Sequence, residues 1–409
     1  MIHQPPAGAR DLLPLEVAQK AWINDRLQAI FHRWGYQRIV TSTLEWLDTL
    51  TAGGAIAPET VMQLRDSAGG VLGLRPELTA SIARAAVTRM NEPVYPQRFC
   101  YRANVFRQPP QGYHGKQLEF FQAGVELLFA GGVLADAEIL LLLSTALQDL
   151  GLPGSQIVLG EAGLTRSLLA QFPPHLQNTV RDSLIRLDYV QLAALDYPQP
   201  DLKNLALTLF DLRGAAGDVL TRISQLPLDR DSQQRVSYLK TLVEVVQQSQ
   251  ENPPMLVLDL SWLQPFDYYT GIVFQAVTQT GEQWRVLGQG GRYDQLLSLY
   301  HPQHQPFPGI GFSLNIEDLH ASLLGSPLLP AETPALDWLV IAREPGAEIA
   351  AFRYAHHLRQ RDPHVRVEVD LGGRSPEPVR NYAHTQRVQN LAWVNGQGDV
   401  ELETLSKSP

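Results

Sequence analysis

Arg98-Phe99-Cys100-Tyr101-Arg102-Ala103-Asn104-Val105-Phe106-Arg107 and Gln117-Leu118-Glu119-Phe120-Phe121-Gln122-Ala123-Gly124-Val125-Glu126-Leu127-Leu128 each read as a β-strand. In the second, Gln122 and Glu126 alternate with apolar residues at even spacing. Strand side chains alternate between faces, so these two share one. Just upstream, Arg75-Pro76-Glu77-Leu78-Thr79 puts a cation, a carboxylate and a hydroxyl at a strand-to-helix junction, and Arg107 ends the first strand. If these groups line one pocket, two carboxylates and an amide suit a small cationic ligand with amine or ring N–H donors. Solvated strand polars or internal salt bridges would give the same pattern.

Outward from these strands the periodicity predicts a helix over 14–34, with Ile23, Leu27, Ile30, Phe31 and Trp34 on one face and Gly35 as its stop. A strand over 36–40 follows, then a hairpin over 61–74 turning at Asp66-Ser67-Ala68-Gly69-Gly70. Helices are expected over 77–90 and 136–150. Further strands are expected over 156–159, 255–262 and 271–278, and a strand runs into a helix over 309–323. Residues 173–254 carry leucine and valine at helical spacing between two Pro-Pro pairs, which marks a helical insertion. After a Pro-rich linker, residues 331–409 alternate strand and helix as a small α/β domain, with 9 basic and 11 acidic residues. The expected domains are therefore 1–325 and 331–409.

Composition narrows the function classes. With 44% hydrophobic and 18% charged residues, wholesale disorder is excluded. The formal net charge of −9 is not the basic field of a dedicated nucleic-acid binder. A single cysteine, Cys100, leaves no intramolecular disulfide and no cysteine zinc site. The first residues lack a signal-peptide pattern, and apolar runs such as 139–143 are far short of a membrane span, so a cytoplasmic protein is expected. Gly309-Ile310-Gly311 has no third glycine at Leu314 and is not a dinucleotide fingerprint. His301-Pro302-Gln303-His304 reads as an exposed loop rather than a metal site, and there is no Walker A loop, nucleophile elbow or HExxH. No cofactor and no metal are expected. Asp267-Tyr268-Tyr269-Thr270-Gly271 and Gly290-Gly291-Arg292-Tyr293-Asp294 suit stacking on a planar ring beside an acid, or equally a tyrosine corner and a glycine turn.

Taken in order, Trp34-Gly35-Tyr36 with Leu44-Glu45, the Arg75–Thr79 junction, Tyr101–Arg107, Gln122–Glu126, Asp267-Tyr268-Tyr269, Gly290–Asp294 and Gly309-Ile310-Gly311-Phe312 resemble the class II histidyl-tRNA synthetase family over essentially the whole chain. The resemblance implies an α+β fold: an antiparallel sheet of about six or seven strands flanked by helices, paired as a homodimer, with a helical insertion and a reduced anticodon-binding-like C-terminal domain. It also implies a histidine pocket lined by Glu77, Thr79, Arg107, Gln122, Glu126, Tyr268 and Tyr269. There Arg107 would take a carboxylate or phosphate oxygen, and the acids would take the ammonium and ring nitrogens.

Two departures bear on activity. Gln264-Pro265 stands where the synthetases have arginine and glycine. Asn315-Ile316-Glu317-Asp318 stands where they have Gly-Leu-Glu-Arg. Both lost arginines serve phosphate and adenylate chemistry, and Asp318 would repel a polyphosphate. Thr41-Ser42-Thr43 also replaces a family proline, and the C-terminal domain is acidic where an anticodon binder is basic. A histidine pocket on such a scaffold resembles the regulatory subunits of short-form ATP phosphoribosyltransferase. That likeness implies a non-catalytic chain that binds no tRNA. It would be required by a separate catalytic subunit, in a hetero-octamer of four and four, and would transmit feedback inhibition by histidine in the first step of histidine biosynthesis. The alternatives are a divergent active synthetase and a histidine-sensing module with another partner.

Overall fold

The fold was taken from a computed structural model that describes residues 3–54, 56–90, 96–108, 117–261, 268–372 and 375–405. Gln264, Pro265, Phe266 and Asp267 lie outside the described residues. The chain divides into two compact units, Met1–Leu329 and Pro330–Pro409.

The first unit opens with α1 (Pro14–Arg33), which starts on a proline that has no N–H to waste and ends before Gly35 at φ +82°. Then come β1 (Gln37–Arg38), β2 (Leu44–Trp46), α2 (Leu47–Thr51), β3 (Gln63–Arg65), β4 (Val71–Leu74) and α3 (Thr79–Arg89). The two long strands of the opening motif are β5 (Gln97–Phe106) and β6 (Glu119–Leu128), followed by α4 (Val133–Asp149), β7 (Gln156–Glu161) and α5 (Ala162–Leu169). The insertion comprises α6 (Pro174–Ile185), α7 (Tyr189–Ala194), α8 (Pro200–Asp211), β8 (Arg213–Ala215), α9 (Ala216–Ile223) and α10 (Arg230–Gln248). The unit closes with β9 (Met255–Asp259), β10 (Ile272–Thr280), β11 (Gln283–Arg292), β12 (Gly309–Asn315) and α11 (Ile316–Leu323).

Nine strands form one sheet in the order β1-β5-β6-β12-β11-β10-β7-β9-β8. The sheet is larger than the expected six or seven strands and is not wholly antiparallel, because β1 runs parallel to β5 and β7 parallel to β9. The additions are short edge strands. One is β8, which the helical texture of the insertion concealed and which pairs with β9. β11 was also hidden, since Gly288, Gly290 and Gly291 depress strand propensity. Packing explains the last two: a Cβ on Gly290 would sit 2.6 Å from the Phe274 ring, and one on Gly291 2.7 Å from the Tyr269 ring.

Helices cover one face of the sheet. Ile23, Leu27, Ile30 and Phe31 of α1 and Ile139 to Leu143 of α4 pack with Ala123, Val125 and Leu127 of β6 and Phe312 and Leu314 of β12. Each such side chain contributes about 1.5–3 kcal/mol by leaving water. On the other face α3 packs Leu78, Ile82, Ala83 and Ala86 against Phe99, Tyr101, Tyr269, Val273 and Tyr293. Because β6 alternates, Gln122 and Glu126 point to this second face. His301 is not in an exposed loop as expected; it is buried, its ring 5.4 Å from Phe307.

A separate three-stranded sheet has the order β2-β4-β3. Its register pairs Leu44 with Leu74, Trp46 with Leu72 and Leu64 with Leu72. Directly opposed residues share a face, so five large apolar side chains line one side. Leu44, Trp46 and Leu64 there are 44%, 53% and 44% exposed. The other side carries Glu45 and Gly73, and Gly73 abuts Val61 and Leu50.

The second unit has β13 (Trp338–Ala342), α12 (Glu348–Arg361), β14 (Val367–Val369), α13 (Pro376–Thr385), β15 (Asn390–Val394) and β16 (Val400–Thr404). Its sheet order is β14-β13-β15-β16; the first three strands are parallel and the last is antiparallel. Among the described residues no helix is long and apolar enough to cross a membrane.

Candidate functional site

The site begins where β4 gives way to α3. Glu77 lies two residues before the helix, and its carboxylate accepts from the backbone N–H of Thr79 (2.5 Å) and Ala80 (2.9 Å). It thus satisfies first-turn donors as an N-cap side chain does, with its charge at the positive end of the helix. Burial pushes the Glu77 carboxyl up, opposed by these bonds and by Arg107. The junction is bolted in place by Arg75, itself only 6% exposed. Arg75 donates through Nε to the Asn104 carbonyl (3.0 Å) and through Nη1 to those of Thr41 (2.9 Å) and Ser42 (3.2 Å). Arg107, just past β5, donates through Nε to the Pro76 carbonyl (2.9 Å) and lies 5.4 Å over the Phe120 ring. Burial lowers its basicity and the nearby Glu77 partly restores it.

Glu126 is 1% exposed. Its Oε1 accepts from Thr79 Oγ1 (2.7 Å) and its Oε2 from the Tyr293 hydroxyl. Burial outweighs both hydrogen bonds and pushes its carboxyl up to about 8. A Cβ at Gly311 would run into this carboxyl, so only glycine leaves it room. Gln122 is also buried, and its Oε1 has no partner among the described residues. The rings of Tyr268 and Tyr269 lie 4.6 Å apart, and Tyr293 stands edge-on to Tyr268 at 6.1 Å. Burial is the largest cause raising all three hydroxyls.

All seven residues singled out in the sequence, Glu77, Thr79, Arg107, Gln122, Glu126, Tyr268 and Tyr269, line one cleft that is open to solvent. Tyr101, Gln289, Tyr293 and Ser313 join them. Tyr293 lay inside the Gly290–Asp294 motif. Strand alternation there would have placed it opposite Arg292, which turns the other way to pair with Asp136. For Gln289 the sequence held no signal. The cleft offers two carboxyls, an amide oxygen unpaired among the described residues, one guanidinium and a wall of phenol rings. That inventory suits a small planar cation that carries a carboxylate. Among the described residues no cluster of three or more His, Cys, Asp or Glu is placed to hold a metal.

Asp318 is not a bare acid. It sits in the first turn of α11, which Asn315 caps, and Arg285 Nη1 pairs with it at 3.1 Å. The expected repulsion of a polyphosphate is therefore partly offset by that guanidinium, and burial raises the Asp318 carboxyl.

The histidyl-tRNA synthetase family model matches residues 8–319. A protein of Gloeothece citriformis named ATP phosphoribosyltransferase regulatory subunit is 61% identical over 99% of this chain and 100% of its own length. A Synechocystis protein of the same name is 64% identical over 98% and 100%. Among solved structures, an ATP phosphoribosyltransferase regulatory subunit/histidyl-tRNA synthetase from Bacillus halodurans superposes with a TM-score of 0.81 at 27% identity, covering 97% of this chain and 99% of that one. A histidyl-tRNA synthetase from a Nostoc species, at 17% identity over 98% and 96%, shares the fold with a TM-score of 0.76. With relatives this similar along its full length, the chain belongs to the family of ATP phosphoribosyltransferase regulatory subunits, built on the histidyl-tRNA synthetase fold.

Proposed function

We propose that this chain is a non-catalytic regulatory subunit that senses histidine, and that phosphoribosyl transfer to ATP takes place on a separate short catalytic subunit. The observation that carries the sensing role is the cleft itself: Gln122, whose Oε1 has no partner among the described residues, lines it together with the Glu126 and Glu77 carboxyls and closely spaced tyrosine rings. Histidine presents an ammonium, ring N–H groups and a carboxylate for Arg107. Glu77, Thr79, Arg107, Gln122, Glu126, Tyr268 and Tyr269 are its proposed contacts. The replacement of two family arginines by Gln264 and Asp318 supports a binding site without adenylate chemistry.

The chain acts as a homodimer within a hetero-octamer in the cytoplasm, without tRNA. The open apolar face of the small sheet supports self-association, because a monomer leaves Leu44, Trp46 and Leu64 in water. The test is reconstitution with a purified short catalytic subunit. Phosphoribosyl-ATP formation that needs this chain and is suppressed by histidine is the expected result. A robust histidine-dependent exchange of pyrophosphate with ATP by the chain alone would overturn the reading in favour of a divergent synthetase.

A further inference from the structure

The strongest unexplained feature lies behind the cleft. The helix whose first turn is built from ligand-facing groups also holds a strand of the open small sheet. Glu77 caps α3 through the Thr79 and Ala80 amides, and the Thr79 hydroxyl is tied to Glu126. Five residues along, somewhat over one turn, Arg84 Nη2 donates to Glu45 Oε1 at 2.7 Å. Glu45 is 6% exposed on the inner side of β2, between Leu44 and Trp46, which face outward. Arg84 Nε has no partner among the described residues. The same junction grips the chain leading into β2 a second time, because the Arg75 guanidinium holds the carbonyls of Thr41 and Ser42, and its backbone N–H donates to Thr43 at 3.1 Å.

We propose that α3, through the Arg84–Glu45 ion pair, carries the occupancy of the cleft to the outer apolar face of the small sheet. The proposal rests on the histidine-sensing reading and deepens it. Both Glu77 oxygens are engaged by the start of α3, and both Glu126 oxygens by Thr79 and Tyr293. Each of these oxygens has a second lone pair, so a cationic ligand that takes either carboxyl joins an oxygen already bonded to the start of α3, draws its charge toward the cleft, and so acts on the first turn of α3. A helix transmits such a displacement along its axis as a rigid rod. At Arg84 the displacement reaches a carboxylate that is buried and held by charge, so β2 follows rather than slips. Leu44 and Trp46, either side of Glu45, then change pitch on the outer face. By linkage, a second copy of this chain seated on that face alters histidine affinity by the same factor.

Hydrogen exchange on the full chain, at a concentration where its oligomeric state is constant, tests this alongside calorimetric titration with histidine. Saturating histidine is expected to alter exchange in α3 and at residues 44–46 as well as around 77–80 and 122–126. Glu45→Gln should abolish the change at 44–46 and shift the histidine dissociation constant by roughly 2- to 30-fold, the span expected of a residue that couples without touching ligand. Binding with exchange changes confined to the cleft would overturn the relay and leave the sensing role standing. If histidine does not bind, the sensing role falls, and the relay is judged without ligand. In that case Glu77→Gln, which weakens the cap of α3, must raise exchange at 44–46, and no change there overturns it. Should Glu77→Gln not fold, Glu45→Gln read at the amides of Thr79 and Ala80 decides in the reverse direction.

Discussion

Around Glu126 a carboxyl, an amide and several phenol rings are held out of water, while Leu44, Trp46 and Leu64 of the small sheet stand in it. Both places depart from ordinary burial, in opposite directions. In the cleft, buried polar groups use one another as partners and one acceptor is left over at Gln122. On the small sheet, apolar area is left without cover. A buried unpaired acceptor costs about 1–3 kcal/mol, and uncovered leucine and tryptophan forgo the gain of burial. The proposed histidine would meet the first cost, and the proposed self-association the second.

The comparison breaks most sharply at Glu126. If the cleft is completed by a cation, Glu126→Ala should weaken histidine binding by about 30-fold or more, since losing one partner of a buried charged hydrogen bond costs about 2–5 kcal/mol. Calorimetric titration reads this, and unchanged affinity would move the effector site elsewhere. The small sheet should answer to Trp46→Ala. At a self-association interface, loss of a central aromatic costs about 2 kcal/mol, or roughly 30-fold in the dimer dissociation constant. Sedimentation velocity would show it, while histidine titration of the monomer would still saturate.

A smaller effect follows from the protonation of Glu126. Its folded-state value near 8 lies above its ordinary 4.5, so between those limits the folded chain holds a proton that the unfolded chain has released. That contribution to stability is fully present below about 4.5 and is lost as pH rises through 8. Thermal unfolding midpoints should fall across this window in the wild type, and less so in Glu126→Gln. An ammonium ligand needs the carboxylate, so binding at pH 7 should release a proton and strengthen by at most about tenfold per pH unit up to pH 8. Titrations in buffers of differing ionisation enthalpy count that proton. The smallest effect is expected at Asp318→Asn. Its pair with Arg285 is partly solvated and is worth about 0.2–1 kcal/mol, so the unfolding midpoint should move by a few degrees at most and histidine binding not at all.

Much of the cleft was legible because its chemistry is written in short runs. Arg75–Thr79 gathers a cation, an acid and a hydroxyl at one strand-to-helix junction, Gln122–Glu126 carries polar groups where a core strand would carry none, and a period of two assigns Gln122 and Glu126 to one face whatever the rest of the chain does. The long strands β5 and β6 and the helices α1 and α4 were equally plain, since their periodicity is a local property of a dozen or more residues. β8 and β11 were not. A three-residue strand has no period, and the glycines of β11 exist to make room for Phe274 and Tyr269, which arrive from another strand.

The sequence by itself determined the helical texture of the insertion and the small acidic C-terminal unit, because propensity, alternation and charge act between near neighbours, and its resemblance to the synthetase family supplied the α+β class and the groups offered to a ligand. Only the tertiary structure decided that burial raises the Glu126 carboxyl, that Asp318 is paired with Arg285, that Tyr293 completes the site, and that Glu45 faces Arg84 while its neighbours face solvent. Those properties depend on desolvation and on partners 33 to 167 residues away along the chain, and neither is visible until the chain has folded back upon itself.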